Sequence, residues 1–139
     1  LRPTFGKHQV QRSDGDHFLY MVRYHGDTAA FLGRQPPEVR RKVLVKVGYT
    51  NDPERRLVEL NAGIPPAAAK RWGHWLKPVT YPTGEAAKAA EDALKATLAA
   101  SSESLGGEFF LGNEMDLQLK FANVPGVAGI VIRGRTKAL

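Results

Sequence analysis

Lys46-Val47-Gly48-Tyr49-Thr50-Asn51-Asp52-Pro53-Glu54-Arg55-Arg56-Leu57 is the stretch on which the fold turns. Its first residues close an alternating run, Lys42 to Tyr49. Alternation along a strand puts Lys42, Leu44, Lys46 and Gly48 on one face and Val43, Val45, Val47 and Tyr49 on the other. Asn51-Asp52-Pro53 then offers two helix N-caps, followed by a proline in the first turn, where its missing N–H costs nothing. The helix runs through Leu57 and Leu60 and stops near Asn61-Ala62-Gly63, ahead of Pro65-Pro66. A basic strand therefore feeds directly into a capped helix that carries two adjacent arginines.

Upstream, His17 to Tyr24 is aromatic and aliphatic and reads as a strand. Residues 1–16 are polar and read as an arm. His25 to Glu38 reads as a loop, broken by Gly33 and Pro36-Pro37. Downstream, a third strand is expected between Ala69 and Tyr81. The longest helix is expected from Glu85 to Ala100, a loop from Ser101 to Gly107, and a short apolar segment at Phe109-Phe110-Leu111. A helix from Asn113 to Ala122 and a strand from Ala128 to Arg133 follow, and residues 134–139 form a basic tail. This order predicts one α+β domain over residues 17–133. Its centre is a small mixed or antiparallel sheet of three strands flanked by helices, with an extra C-terminal helix and strand.

Composition narrows the chemistry. The chain has 139 residues and no cysteine, which excludes disulfides, thiolate metal sites and cysteine nucleophiles. That suits a reducing compartment, and a cytoplasmic location, or delivery into a target cell, is the expectation. No apolar run is long enough to span a membrane as a helix. The first residue is Leu1, so a piece of a longer protein is expected. The formal net charge is +6. Ten lysines and arginines between Arg34 and Lys77 face only Glu38, Asp52, Glu54 and Glu59, so this segment carries the whole excess. A localised basic surface is the footprint of a polyanion binder, although a solvated face gives the same count. Arg40, Arg41, Lys42, Arg55, Lys70 and Arg71 are the candidate nucleic-acid contacts.

The long helix holds one anomaly. Ala87, Ala90, Leu94 and Leu98 form an apolar stripe, and Glu91 falls within it. A carboxylate on an inward face is costly unless it is paired or binds a metal, so either a structural ion pair or a metal ligand is implied.

The ordered set resembles the GIY-YIG nuclease superfamily, in its phage-T5-type branch. Phe18-Leu19-Tyr20 stands at the first tripeptide and Lys46-Val47-Gly48 at the second, with lysine in place of tyrosine as in that branch. Arg56 lies eight residues after Gly48, where the family has its functional arginine, and Glu91 matches the metal-binding glutamate. Gly107-Glu108-Phe109-Phe110 resembles the branch's closing segment. Phe18 replaces a glycine, Leu60 stands where a histidine or tyrosine is frequent, and Lys95 stands where the branch has histidine.

The resemblance, over residues 17–112, implies a metal-dependent endonuclease acting on DNA, with RNA not excluded. It implies a divalent cation, Mg2+ or Mn2+, on Glu91, and Tyr20, Lys46, Arg56 and Glu91 as catalytic residues. Tyr20 would position or deprotonate the attacking water, helped by the positive charge of Lys46. Arg56 would clamp phosphate oxygens with its planar fork. Tyr49 and Tyr24 are alternative hydroxyls, and Trp72 and Trp75 read as core more than as a stacking platform. Two alternatives stay open: a nucleic-acid-binding module without activity, which Leu60 favours, and a nuclease toxin or effector domain.

Overall fold

A computed structural model describes residues 15–124. The expected strand at Ala128–Arg133, the basic tail and most of the N-terminal arm lie outside the described residues. Six strands form one antiparallel sheet: β1 (His17–His25), β2 (Lys42–Thr50), β3 (Arg71–His74), β4 (Val79–Tyr81), β5 (Glu103–Gly106) and β6 (Phe109–Asn113). The order is β3-β1-β2-β6-β5, and β4 also pairs with β1. Four α-helices accompany it: α1 (Thr28–Leu32), α2 (Pro53–Asn61), α3 (Gly84–Ser101) and α4 (Glu114–Ala122). Among the described residues, no helix is long and apolar enough to cross a membrane.

The α+β class holds, but the sheet has six strands rather than three. The single strand expected between Ala69 and Tyr81 is two, because Pro78 cannot donate a ladder hydrogen bond. β3 pairs with the end of β1, Arg71 opposite His25, and β4 with its start, Tyr81 opposite His17. The expected loop at Ser101–Gly107 contains β5. Its Ser-Leu sequence carries no strand pattern of its own, and its ladder comes from pairing with β6. The expected loop after His25 contains α1, one turn and a half capped by Asp27, whose carboxylate accepts from Ala30 N–H at 3.0 Å. Gly33 ends it in the left-handed region at φ 69°.

Two cores sandwich the sheet. On one face Leu19, Met21, Val43, Val45, Val47 and Phe110 pack against Ala87, Ala90, Leu94 and Leu98 of α3 and Leu117 and Phe121 of α4. On the other, Tyr20, Val22, Tyr24, Leu44, Trp72 and Leu111 are covered in part by Leu57 and Leu60 of α2. The central strands are thus buried on both faces, which is why Val43 to Gly48 are buried without interruption. β6 reaches along β2 only as far as Lys46, opposite Phe109. Beyond that residue one side of β2 has no partner strand.

The α3 stripe dominates the first core. Leu94 is 1% exposed and Leu119 of α4 is 54% exposed. Leu94→Ala should cost about 2–5 kcal/mol in urea unfolding, and Leu119→Ala less than about 1 kcal/mol.

Candidate active site

The cross-strand register sets the first contact. Tyr20 of β1 lies opposite Gly48 of β2, and Val22 lies opposite Lys46. Side chains of direct partners share a face, so the Tyr20 ring lies over Gly48. A Cβ at position 48 would stand 2.5 Å from Tyr20 Oη. Glycine is required here by close approach, and the missing side chain is the space the phenol fills. Lys46, two residues earlier on the same face, donates from Nζ to Tyr20 Oη at 3.1 Å. Tyr20 is 2% exposed and Lys46 is 5% exposed. The alternative hydroxyls go elsewhere. Tyr24 stacks on Phe31 with ring centroids 4.5 Å apart, and Tyr49 packs near the His17 ring at 6.3 Å.

The capped start of α2 brings the arginines. Asp52 caps it by accepting from Arg55 N–H at 3.0 Å. Arg56 ion-pairs with Glu59 at 3.1 Å. Its guanidinium is held above its ordinary range, first by the Tyr20 hydroxyl and then by Glu59. Arg55 instead reaches Asn51 at 3.1 Å on the outer side. Of the adjacent pair, Arg56 is the one turned to the phenol. Leu60, one turn on, packs into the core beside Tyr20.

Glu91 enters from α3. It is 3% exposed, and its Oε2 has no hydrogen-bond partner. Lys95, one turn on, is 3.9 Å from Oε1. Burial first, and then the hydrogen bond to Glu108, push Glu91 up to about 7, against the opposing charge of Lys95. Glu108 goes the other way. Burial alone would raise it, but the hydrogen bond and charge of Lys46 outweigh that and hold it below the ordinary carboxylate range. Its Oε1 is 2.5 Å from Lys46 Nζ. The two neighbouring carboxyls are thus pushed in opposite directions, Glu91 up and Glu108 down.

Tyr20, Lys46, Arg56 and Glu91 thus form one connected set, and Glu108 is the link between Lys46 and Glu91. Glu108 falls within the Gly107-to-Phe110 motif, but sequence reasoning assigns it no role. The available signal is its place between the turn glycine Gly107 and an aromatic strand. The expected nucleic-acid contacts divide. Arg55 lies beside this centre. Arg40, Arg41, Lys42, Lys70 and Arg71 lie at the other end of the sheet, Lys42 being four residues from Lys46, about 13 Å at the rise of a strand. Arg41 and Lys42 line a cavity of about 450 Å³ with Arg23 and Asn113. Trp72 is core, at 7% exposure, and Trp75 is partly buried beneath Arg23. Both ring nitrogens of His74 are buried without a hydrogen-bond partner, with Glu54 3.7 Å away.

Among the described residues, no group of three His, Asp or Glu side chains could encage a metal. One carboxylate ligand suffices for a cation such as magnesium, which keeps most of its waters. The unpartnered Oε2 of Glu91 is a donor of the right chemistry. The family model described as the T5orf172 domain matches residues 20–121. No curated protein and no solved structure matches the chain.

The raised Glu91 has a stability consequence. A carboxyl whose folded pKa lies above its unfolded value favours the fold at low pH, and that contribution is lost as pH rises through the folded pKa. Without metal, Glu91→Gln should therefore melt above wild type at pH 8, and the difference should shrink below about pH 5. Melts in chelator across this range check it. A lower melting temperature at pH 8 would make Glu91 a structural ion-pair partner.

Proposed function

The chain belongs to the T5orf172 domain family, which points to a nuclease-like function, and on that premise we propose that it is a metal-dependent endonuclease hydrolysing phosphodiester bonds in DNA. The observation that carries this reading is the buried Lys46–Tyr20 pair at 3.1 Å. An ammonium held against a phenol oxygen favours the phenolate, the form that can take a proton from the attacking water. Such a pair, out of solvent, has no need to exist for packing alone.

The other parts fit around it. Arg56, beside the same hydroxyl, can exchange its Glu59 contact for the oxygens of a phosphate and clamp them with two parallel hydrogen bonds. Glu91 would hold Mg2+ or Mn2+, which supplies charge neutralisation on the phosphate and help for the leaving oxygen. That use requires Glu91 ionised, a form that burial opposes and the adjacent Lys95 charge favours. The basic residues at the far end of the sheet would hold the DNA backbone away from the cut. A binding module without activity is the second reading. Leu60 favours it, because it fills with apolar packing the helix position where the resembled family often has an acid–base side chain.

Supercoiled plasmid with magnesium or manganese is the direct test. Wild type should nick it, and Tyr20→Phe and Glu91→Gln should abolish nicking while DNA binding in chelator persists. Arg56→Lys should lose about 100-fold or more, since lysine cannot form the fork, whereas Arg55→Lys should stay within a few-fold. Equal loss at both arginines would remove Arg56 from the centre.

Binding is testable apart from cleavage. With Arg41 and Lys42 changed to glutamine, the salt slope of log Kd should flatten by about 0.9 for each phosphate no longer neutralised. Fluorescence anisotropy with a duplex, from about 50 to 200 mM salt in chelator, measures it. An unchanged slope would take these residues off the DNA face.

A further inference from the structure

Lys46 is a buried charge that requires a counter-charge. Among the described residues it hydrogen-bonds the Tyr20 hydroxyl at 3.1 Å and the Glu108 carboxylate at 2.5 Å. Two ring faces also lie near it, Tyr20 at 5.4 Å and Phe109 at 5.8 Å from Nζ. The phenol accepts a hydrogen bond but offers no charge when neutral. Glu108 is therefore the counter-ion that makes burial of the ammonium tolerable.

The place of Glu108 is fixed by its backbone, independently of that contact. Its carbonyl accepts from Val47 N–H at 3.0 Å, just beyond the last paired residue of β6. Gly106 and Gly107, at φ 106° and 60°, turn the chain there. The β5–β6 turn thus delivers a carboxylate to Lys46, with Glu91 beside it. A lysine side chain has four rotatable bonds. Without Glu108, Nζ keeps one neutral partner, the Tyr20 hydroxyl.

We infer that Glu108 is the positioning residue of this centre: it holds Lys46 Nζ against Tyr20 Oη while touching none of the reacting atoms. The inference rests on the function proposed above, and its test separates the two. Full-length Glu108→Ala and Glu108→Gln are compared with wild type on plasmid DNA with magnesium, for kcat and KM. In parallel, protein labelled with 15N-lysine reports the Lys46 ammonium directly, its signal assigned by absence in Lys46→Met.

Glu108→Ala should lower kcat about 100-fold with KM within about two-fold, because misplacement of about 1 Å costs that much. Glu108→Gln keeps an acceptor oxygen without the charge and should lose about 10-fold. The Lys46 signal, set apart from exposed lysines in wild type, should join them in Glu108→Ala and stay apart in Glu108→Gln. An unchanged kcat in Glu108→Ala, or a loss carried by KM, would overturn the inference. If Glu108→Ala does not fold, an unchanged kcat in Glu108→Gln would do the same. If wild type cleaves nothing, the proposed function fails and the ammonium signal decides alone: unchanged in Glu108→Ala, it overturns the positioning role.

Discussion

A lysine ammonium buried in the middle of a sheet is the constraint around which this domain is arranged. Lys46 lies on β2, the strand flanked by β1 and β6, and is 5% exposed. Desolvating a charge costs several kcal/mol unless a counter-charge and hydrogen bonds return it. Three structural features answer that requirement. Tyr20 reaches Lys46 because Gly48 leaves room for its ring. Glu108 reaches it because β6 stops at Phe109 and the preceding turn bends over the end of the ladder. Glu91 then faces Glu108 from α3, where burial and that neighbour push it up.

The same arrangement explains why a domain with two apolar cores tolerates such a cluster. The cores lie on opposite faces of the sheet, one closed by α3 and α4 and the other by α2 and the aromatic group around Trp72. The polar set sits where a strand ends, so its groups meet around the edge of the sheet. Glu91 comes from the helix on one face, and Tyr20, Lys46 and Arg56 from the other. Stability is supplied by apolar residues such as Leu94 and Leu98. The proposed chemistry and the folding energy are thus carried by different side chains of the same helix, three positions apart at Glu91 and Leu94.

Much of this was legible from local patterns. Alternation in Lys42–Tyr49, the Asn-Asp-Pro cap and the Ala-Leu stripe of α3 each report a preference of the chain over a few residues, and each element formed where expected. The inward Glu91 was visible because helical periodicity assigns faces without knowledge of the partner. The split of β3 from β4 and the existence of β5 were not, because both are ladder properties. β5 has little strand character and exists because β6 pairs with it. α1 is too short for periodicity to register.

The sequence by itself determined the α+β class, the strand-to-helix unit that carries Arg55 and Arg56 and the face of Glu91, while the candidate set Tyr20, Lys46, Arg56 and Glu91 came from its resemblance to the nuclease superfamily. These follow from spacings of a few residues and from short motifs in fixed order. Only the tertiary structure decided that Tyr20, and not Tyr24 or Tyr49, meets Lys46. It set Arg56 beside the Tyr20 hydroxyl and Arg55 on Asn51, put residues 40–42 and 70–71 at the far end of the sheet, and brought in Glu108. Each of those outcomes depends on strand register or on where a strand stops. Register is fixed by burial summed over both faces of the whole sheet, a quantity that no local window of sequence contains.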